Sequence, residues 1–274
     1  MRQRILLPCL LLAAALATTG TAFAQMGGKG KKGALPEERA AAQEEARRDF
    51  QPSGLTPMFP AGANCPEVAS PFGSSTRYDG SFRPMTRYGG RHGGMDLTLA
   101  EGTPLRALGK GRIVHLGAGG QAEGFFLWLQ LAPADTGLPF WVYAKYQHFQ
   151  ELPKRRVGEI VQAGDILGPS GKSGTTGGHY GTNGYPHLHL TTVASPSGEF
   201  EIDGSRVAAQ SPRLFDPVAL FVTGLADVAE VQNLPEARKT VAIPYMTGDG
   251  AIHPAGSKLV WPVQCAGSAR ENRP

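Results

Sequence analysis

The chain has little net charge. Its 27 basic and 23 acidic side chains leave +4 over 274 residues, too small an excess to argue for nucleic acid as a partner. Charged residues are only 18% of the total, below the usual quarter. Past the N-terminus no stretch approaches 18 consecutive apolar residues, which excludes a spanning helix from the mature chain. Glycine is plentiful without a collagen-like period, and cysteine is scarce, with three residues in all. What is present is a 41% hydrophobic fraction, enough to build a core and to exclude global disorder. The 37 Gly and 22 Pro favour many short strands over long helices. The length suits one large domain, or one domain with extensions.

Residues 1–24 read as a secretory signal peptide. Arg2 and Arg4 give the positive start, Leu6 to Ala17 the short apolar run, and Ala22-Phe-Ala24 the cleavage site. Cys9 would leave with that segment, so the mature chain would hold only Cys65 and Cys265. An even count in an oxidising compartment predicts a disulfide between them. The location expected is therefore periplasmic or extracellular.

Residues 25–66 form an N-terminal segment and linker. It is Gly/Lys-rich at first, then Ala/Glu/Arg-rich over Leu35–Phe50, where a short exposed helix is expected, then rich in Pro and Gly. From Val68 short β-branched and aromatic runs alternate with Gly and Pro, as in Phe125–Leu131, Phe140–Ala144 and His187–Val193. That pattern predicts a mainly β, antiparallel domain over 67–225. Arg213–Leu225 offers a helical turn or two. Residues 226–274 read as a C-terminal extension with short strands near Val241 and Leu259-Val-Trp261.

The chemistry-bearing residues fall in three places. In His92-Gly-Gly-Met-Asp96 the glycines argue against a helix, and a straight strand would hold the two side chains about 13 Å apart at Cα. A bend at the glycines would let both reach one ion, and imidazole nitrogen with carboxylate oxygen suits zinc. The spacing alone also arises by chance. In His187-Leu-His189 both imidazoles share one strand face, about 6.6 Å apart, with Leu188 toward a core. One can bind a metal while the other reaches water or substrate, although such pairs are also structural. His148, in Tyr146-Gln-His148, reads by itself as a surface or hydrogen-bonded histidine.

Taken in order, Ser70-Pro-Phe-Gly73, His92-x-Gly94-x-Asp96, Gly102-Thr-Pro-Leu105, Gly111-Arg-Ile-Val114, Tyr146-x-His148, Val157–Gly168, Ser170–Gly174 and Pro186-His-Leu-His189 resemble the lysostaphin/LytM-type zinc metallopeptidases. The resemblance covers roughly Val68 to Val193 and implies an antiparallel sheet with a substrate groove. It implies His92, Asp96 and His189 as ligands of one zinc ion per chain, with water in the fourth position. It places His187 and His148 beside that water, His187 as general base and His148 as oxyanion partner. The implied activity is a zinc endopeptidase acting on the peptide stems and crosslinks of cell-wall peptidoglycan. The alternative is a non-catalytic peptidoglycan-binding activator of other wall hydrolases, as in relatives that have lost zinc ligands. A monomer is the default expectation. One departure is a loop from Thr175 to Pro186 about six residues longer than the common pattern; it would overhang the site, with His179 and Tyr180 as substrate contacts. His115 and His253 fall outside the motifs and read as structural or surface residues.

Overall fold

The structure is a computed structural model and describes residues 50–266. The expected signal peptide and the helix expected from Leu35 lie outside the described residues, apart from Phe50. Sixteen short strands dominate. The first eight are β1 (Thr56–Met58), β2 (Val68–Ser70), β3 (Met95–Thr98), β4 (Pro104–Arg106), β5 (Gly111–Ala118), β6 (Phe125–Leu131), β7 (Trp141–Phe149) and β8 (Ile160–Val161). They are followed by β9 (Ile166–Pro169), β10 (His187–Ser195), β11 (Phe200–Asp203), β12 (Arg206–Ala209), β13 (Arg213–Phe215), β14 (Thr240–Ala242), β15 (Tyr245–Met246) and β16 (Ile252–His253). Among the described residues helical structure is confined to one α-turn at Pro133–Thr136 and several 3-10 turns. No helix among the described residues is long and apolar enough to cross a membrane.

The main sheet runs β2-β3-β10-β7-β6-β5-β8, with β13 also paired to β10. Its pairings are all antiparallel, whereas β1 and β14 pair in parallel. Alternation sorts the sheet into two faces. Leu188 and Leu190 of β10, Ala144 and Tyr146 of β7, and Leu127 and Leu129 of β6 enter one large core. Val193, Tyr143, Phe126 and Trp128 lie on the other face, which is also the face of His187 and His189.

The far half of that second face is covered by the β11–β12 hairpin. Val207 and Ala209 pack on the aromatic cluster. Trp128 Nε1 donates to the Ser205 carbonyl at 2.9 Å, and Gln130 Nε2 donates to the Gly198 carbonyl at 2.7 Å. The hairpin thus leaves only the half of the face nearest the histidines open.

Residues beyond 226 contribute Val241, Ile243, Trp261 and Val263 to the large core. Leu259-Val-Trp261 was expected as a strand but makes only isolated bridges, Leu259 to Gly109 and nearby Val263 to Leu105. Pro262 interrupts the run, because proline has no N–H to give a ladder. Arg213–Leu225 divides into β13 and a 3-10 turn at Pro217–Phe221, not a longer helix. Pro217 follows the N-cap Asp216, whose carboxylate accepts from Val218 N at 2.9 Å.

Cys65 and Cys265 are joined as a disulfide across 200 residues of sequence. It ties the start of the described chain to its end, beside Trp261 and Val263. Closing so long a loop restricts the unfolded chain, and losing such a bridge costs about 2–5 kcal/mol. Cys265→Ser is therefore expected to lower the melting temperature by about 10 °C, read by circular dichroism. An unchanged melting temperature would show the bridge to be energetically idle.

Candidate active site

Strand register brings the site together. In the β3–β10 pair Asp96 lies directly opposite His189, and His92 approaches from the turn before β3. The close approach depends on Gly94. A Cβ there would stand 2.4 Å from the Leu190 carbonyl oxygen and 3.0 Å from two atoms of the His189 ring. Gly94→Ala is expected to cost about 3 kcal/mol of stability and to weaken metal binding, checked by thermal melts and zinc titration. Wild-type values for both would show that the backbone relaxes freely.

His92 Nε2, Asp96 Oδ1 and His189 Nδ1 face one another within a small space. The separations are 3.1 Å between the two nitrogens, 2.7 Å from His189 to Asp96, and 3.2 Å from His92 to Asp96. Among the described residues these three form the group that could hold a metal ion. The outward atoms of the two rings are already engaged. His92 Nδ1 lies 3.1 Å from the Pro71 carbonyl, and His189 Nε2 lies 3.0 Å from Thr191 Oγ1. Carbonyl oxygen only accepts, so His92 carries its proton on Nδ1 and turns a lone pair inward. That lone pair faces an acceptor-only carboxylate in a buried pocket. A divalent cation resolves the conflict, and two imidazoles plus one carboxylate suit zinc with a position left open.

Electrostatics favours ligation. Burial alone would raise the Asp96 carboxyl, but the surrounding imidazoles of His92, His187 and His189 hold it well below the ordinary value. Burial pushes His189 down to about 4 against the opposing hydrogen bond and charge of Asp96. At neutral pH the site therefore offers an ionised carboxylate and an uncharged imidazole.

Two further histidines stand beside this group. His187 shares the His189 face of β10, and its Nε2 is 3.7 Å from Asp96 Oδ1. Its Nδ1 donates to the Tyr185 carbonyl at 2.7 Å. His148 reaches the site by a backbone irregularity. Alternation after Tyr146 and Gln147 would send it to the core face. Between the pairs Phe125–Phe149 and Phe126–Gln147, however, β7 carries one residue more than β6. His148 is that extra residue, with φ of 65°, and the bulge redirects its ring. The ring centroid lies 4.4 Å from His187 and 6.2 Å from His189. Nδ1 donates to the Ser173 carbonyl at 2.8 Å. Burial, then repulsion from His187 and His189, holds His148 well below the usual histidine value, and burial also lowers His187.

The long loop does not bring His179 to the metal group. His179 instead grips the segment before β3, with Nε2 2.9 Å from Asp79 Oδ2 and 3.0 Å from Ser81 Oγ. Tyr180 lies 6.1 Å from Tyr78 between ring centroids, and Tyr78 stacks on Tyr185 at 3.8 Å. Tyr185 in turn stacks on His187 at 4.3 Å. Sequence reasoning missed Arg83, whose Nη2 reaches Asp96 Oδ2 at 3.3 Å and Ser70 Oγ at 2.8 Å. It also missed Thr191 and Ser173, which hold the rings of His189 and His148. Thr191 sits two residues from His189 on one strand face, a readable spacing; Arg83 sits in an irregular loop that carries no periodic signal.

Residues 90–197 match the model of peptidase family M23. All five site residues fall inside that span. Over 116 residues, 41% of this chain, the sequence is 36% identical to the glycyl-glycine endopeptidase ALE-1 of Staphylococcus capitis and 34% identical to lysostaphin of Staphylococcus simulans. The match spans only 27% and 20% of those relatives' own lengths. The catalytic domain of lysostaphin from Staphylococcus simulans aligns with 46% of this chain and 81% of its own, at 26% identity and a TM-score of 0.34. The chain thus carries a peptidase family M23 domain, homologous to glycyl-glycine endopeptidases of the lysostaphin type.

Proposed function

We propose that the protein is a secreted zinc metalloendopeptidase that hydrolyses peptide crosslinks of bacterial peptidoglycan, in the periplasm or outside the cell. The observation that carries this reading is the convergence of His92 Nε2, Asp96 Oδ1 and His189 Nδ1 at one point of an M23 domain. The disulfide supports an oxidising compartment.

When bound, zinc supplies Lewis acidity to a peptide carbonyl and makes water nucleophilic near neutral pH. His92, Asp96 and His189 would hold it. His187 and His148 each have Nδ1 committed to a carbonyl, so each presents Nε2 to the site as a proton acceptor. His187, closer to the carboxylate, takes the proton from water as general base and returns it to the leaving amine. His148 stands on the oxyanion side. With Nδ1 engaged, its Nε2 donates to the oxyanion only once it is protonated, against the burial that favours its neutral form, so that proton is additional to the one His187 relays. The β11–β12 hairpin limits bound peptide to the open half of the face.

The test is digestion of purified, crosslinked peptidoglycan with products read by mass spectrometry. Loss of crosslinked dimers with matching growth of monomers, abolished by a chelator and restored by zinc, is the expected result. Intact crosslinks in the presence of stoichiometrically bound zinc would overturn the reading as an endopeptidase and favour an activator that only binds the wall.

A further inference from the structure

The geometry points to Arg83 as a positioning residue that holds Asp96 to the metal through a single oxygen and braces His92 through Ser70. The inference rests on the metallopeptidase reading and concerns a residue outside the metal and histidine set.

Asp96 is 3% exposed, so both carboxylate oxygens need partners within the protein. Oδ1 is turned to His92, His189 and His187. Oδ2 faces the Arg83 guanidinium, Nη2 at 3.3 Å. The same Nη2 donates to Ser70 Oγ at 2.8 Å, and Arg83 Nε donates to the Thr76 carbonyl at 3.3 Å. Ser70 Oγ lies 3.4 Å from His92 Nδ1. One Nη2 amino group thus touches both the ligand carboxylate and the hydroxyl beside a ligand imidazole, while Nε, tied to the Thr76 carbonyl, fixes the plane of the guanidinium.

The chain invests in keeping Arg83 there. Arg83 N donates to the Ser75 carbonyl at 2.9 Å, and Thr76 bridges Phe82 to close the loop. The grip of His179 on Asp79 and Ser81 pins that loop from the far side. With Oδ2 engaged, Asp96 cannot swing to present both oxygens, and one coordination position stays open. The positive charge also draws electron density from the carboxylate, so a bound metal keeps more of its Lewis acidity. Partners of this kind, one step behind a ligand, typically alter metal affinity or activity 10–100-fold when removed.

The test measures metal binding without substrate, so it stands apart from hydrolysis. Full-length wild type, Arg83→Met, Arg83→Lys and Ser70→Ala would compete for zinc against a chromophoric chelator. Their cobalt(II) forms would be compared by visible absorption, which weakens as coordination number rises. Arg83→Met is expected to lose about 10–100-fold in zinc affinity and to show weakened cobalt absorption as Asp96 turns bidentate. Arg83→Lys, a point charge without the fork, is expected to recover part of the affinity and little of the spectrum. Wild-type affinity and spectrum in Arg83→Met would overturn the proposal. If Arg83→Met lacks a cooperative melt, Arg83→Lys decides: an unchanged cobalt spectrum there overturns it. A wild-type protein that binds no zinc would instead overturn the metallopeptidase reading itself.

Discussion

His189→Ala is expected to reduce bound zinc from one per chain to a small fraction and to slow peptide hydrolysis at least about a thousandfold. That loss corresponds to roughly 4 kcal/mol of transition-state stabilisation, the several kcal/mol a Lewis-acid metal supplies. The residue removed is one of the three proposed ligands and sits directly opposite a second, Asp96, in the β3–β10 register. The fold is expected to survive, because the His189 face of β10 is opposite the core that Leu188 and Leu190 enter. Metal analysis, a thermal melt and crosslink digestion on the same preparation separate these effects. A variant that keeps its zinc and more than a tenth of its rate would show that the ligand lies elsewhere.

The second large effect is at His148. Truncation to alanine is expected to lower the hydrolysis rate by about 10²–10⁴-fold, the usual contribution of a positioned proton-transfer group, while zinc binding persists. The backbone gives a second, independent reading. At φ of 65° a residue with a Cβ is strained by about 1 kcal/mol, whereas glycine is not. In an ordinary strand alanine outranks glycine; here His148→Gly is expected to be more stable than His148→Ala. Equal inactivity with that inverted stability order would mark the bulge as strain kept for function. The ordinary order, alanine above glycine, would show that the bulge relaxes once the ring is gone.

The difference between His189 and His148 shows what a sequence can carry. Alternation along His187-Leu-His189 already puts Leu188 inside and both imidazoles on one face, and the structure has Leu188 in the core. The glycines of His92-x-Gly94-x-Asp96 mark a bend, and in the structure Gly94 also meets the backbone of β10. The disulfide followed from counting cysteines in a compartment. Apart from that count, these signals are local. His148 is not legible in that way, because its direction depends on one extra residue relative to β6, and register belongs to the pair of strands. Arg83 meets Ser70 and Asp96, which are register partners in the β2–β3 pair, only after the loop that carries it folds back onto them. The hairpin that covers half of the site's face mixes polar and apolar residues, Phe200-Glu-Ile-Asp203 and Arg206-Val-Ala-Ala209, and nothing in them says which face it lies on. Likewise Trp261 and Val263 flank the proline that breaks their run, yet both fill the main core.

The most direct test of the account is anomalous X-ray scattering at the zinc edge from crystals of the zinc-loaded protein. One peak per chain is predicted, bonded to His92 Nε2 and His189 Nδ1 at about 2.0–2.1 Å and to a single oxygen of Asp96 at about 2.0–2.2 Å, with His187 and His148 beside it and unbound. A peak ligated by other residues, or none at those three atoms in loaded protein, would contradict it.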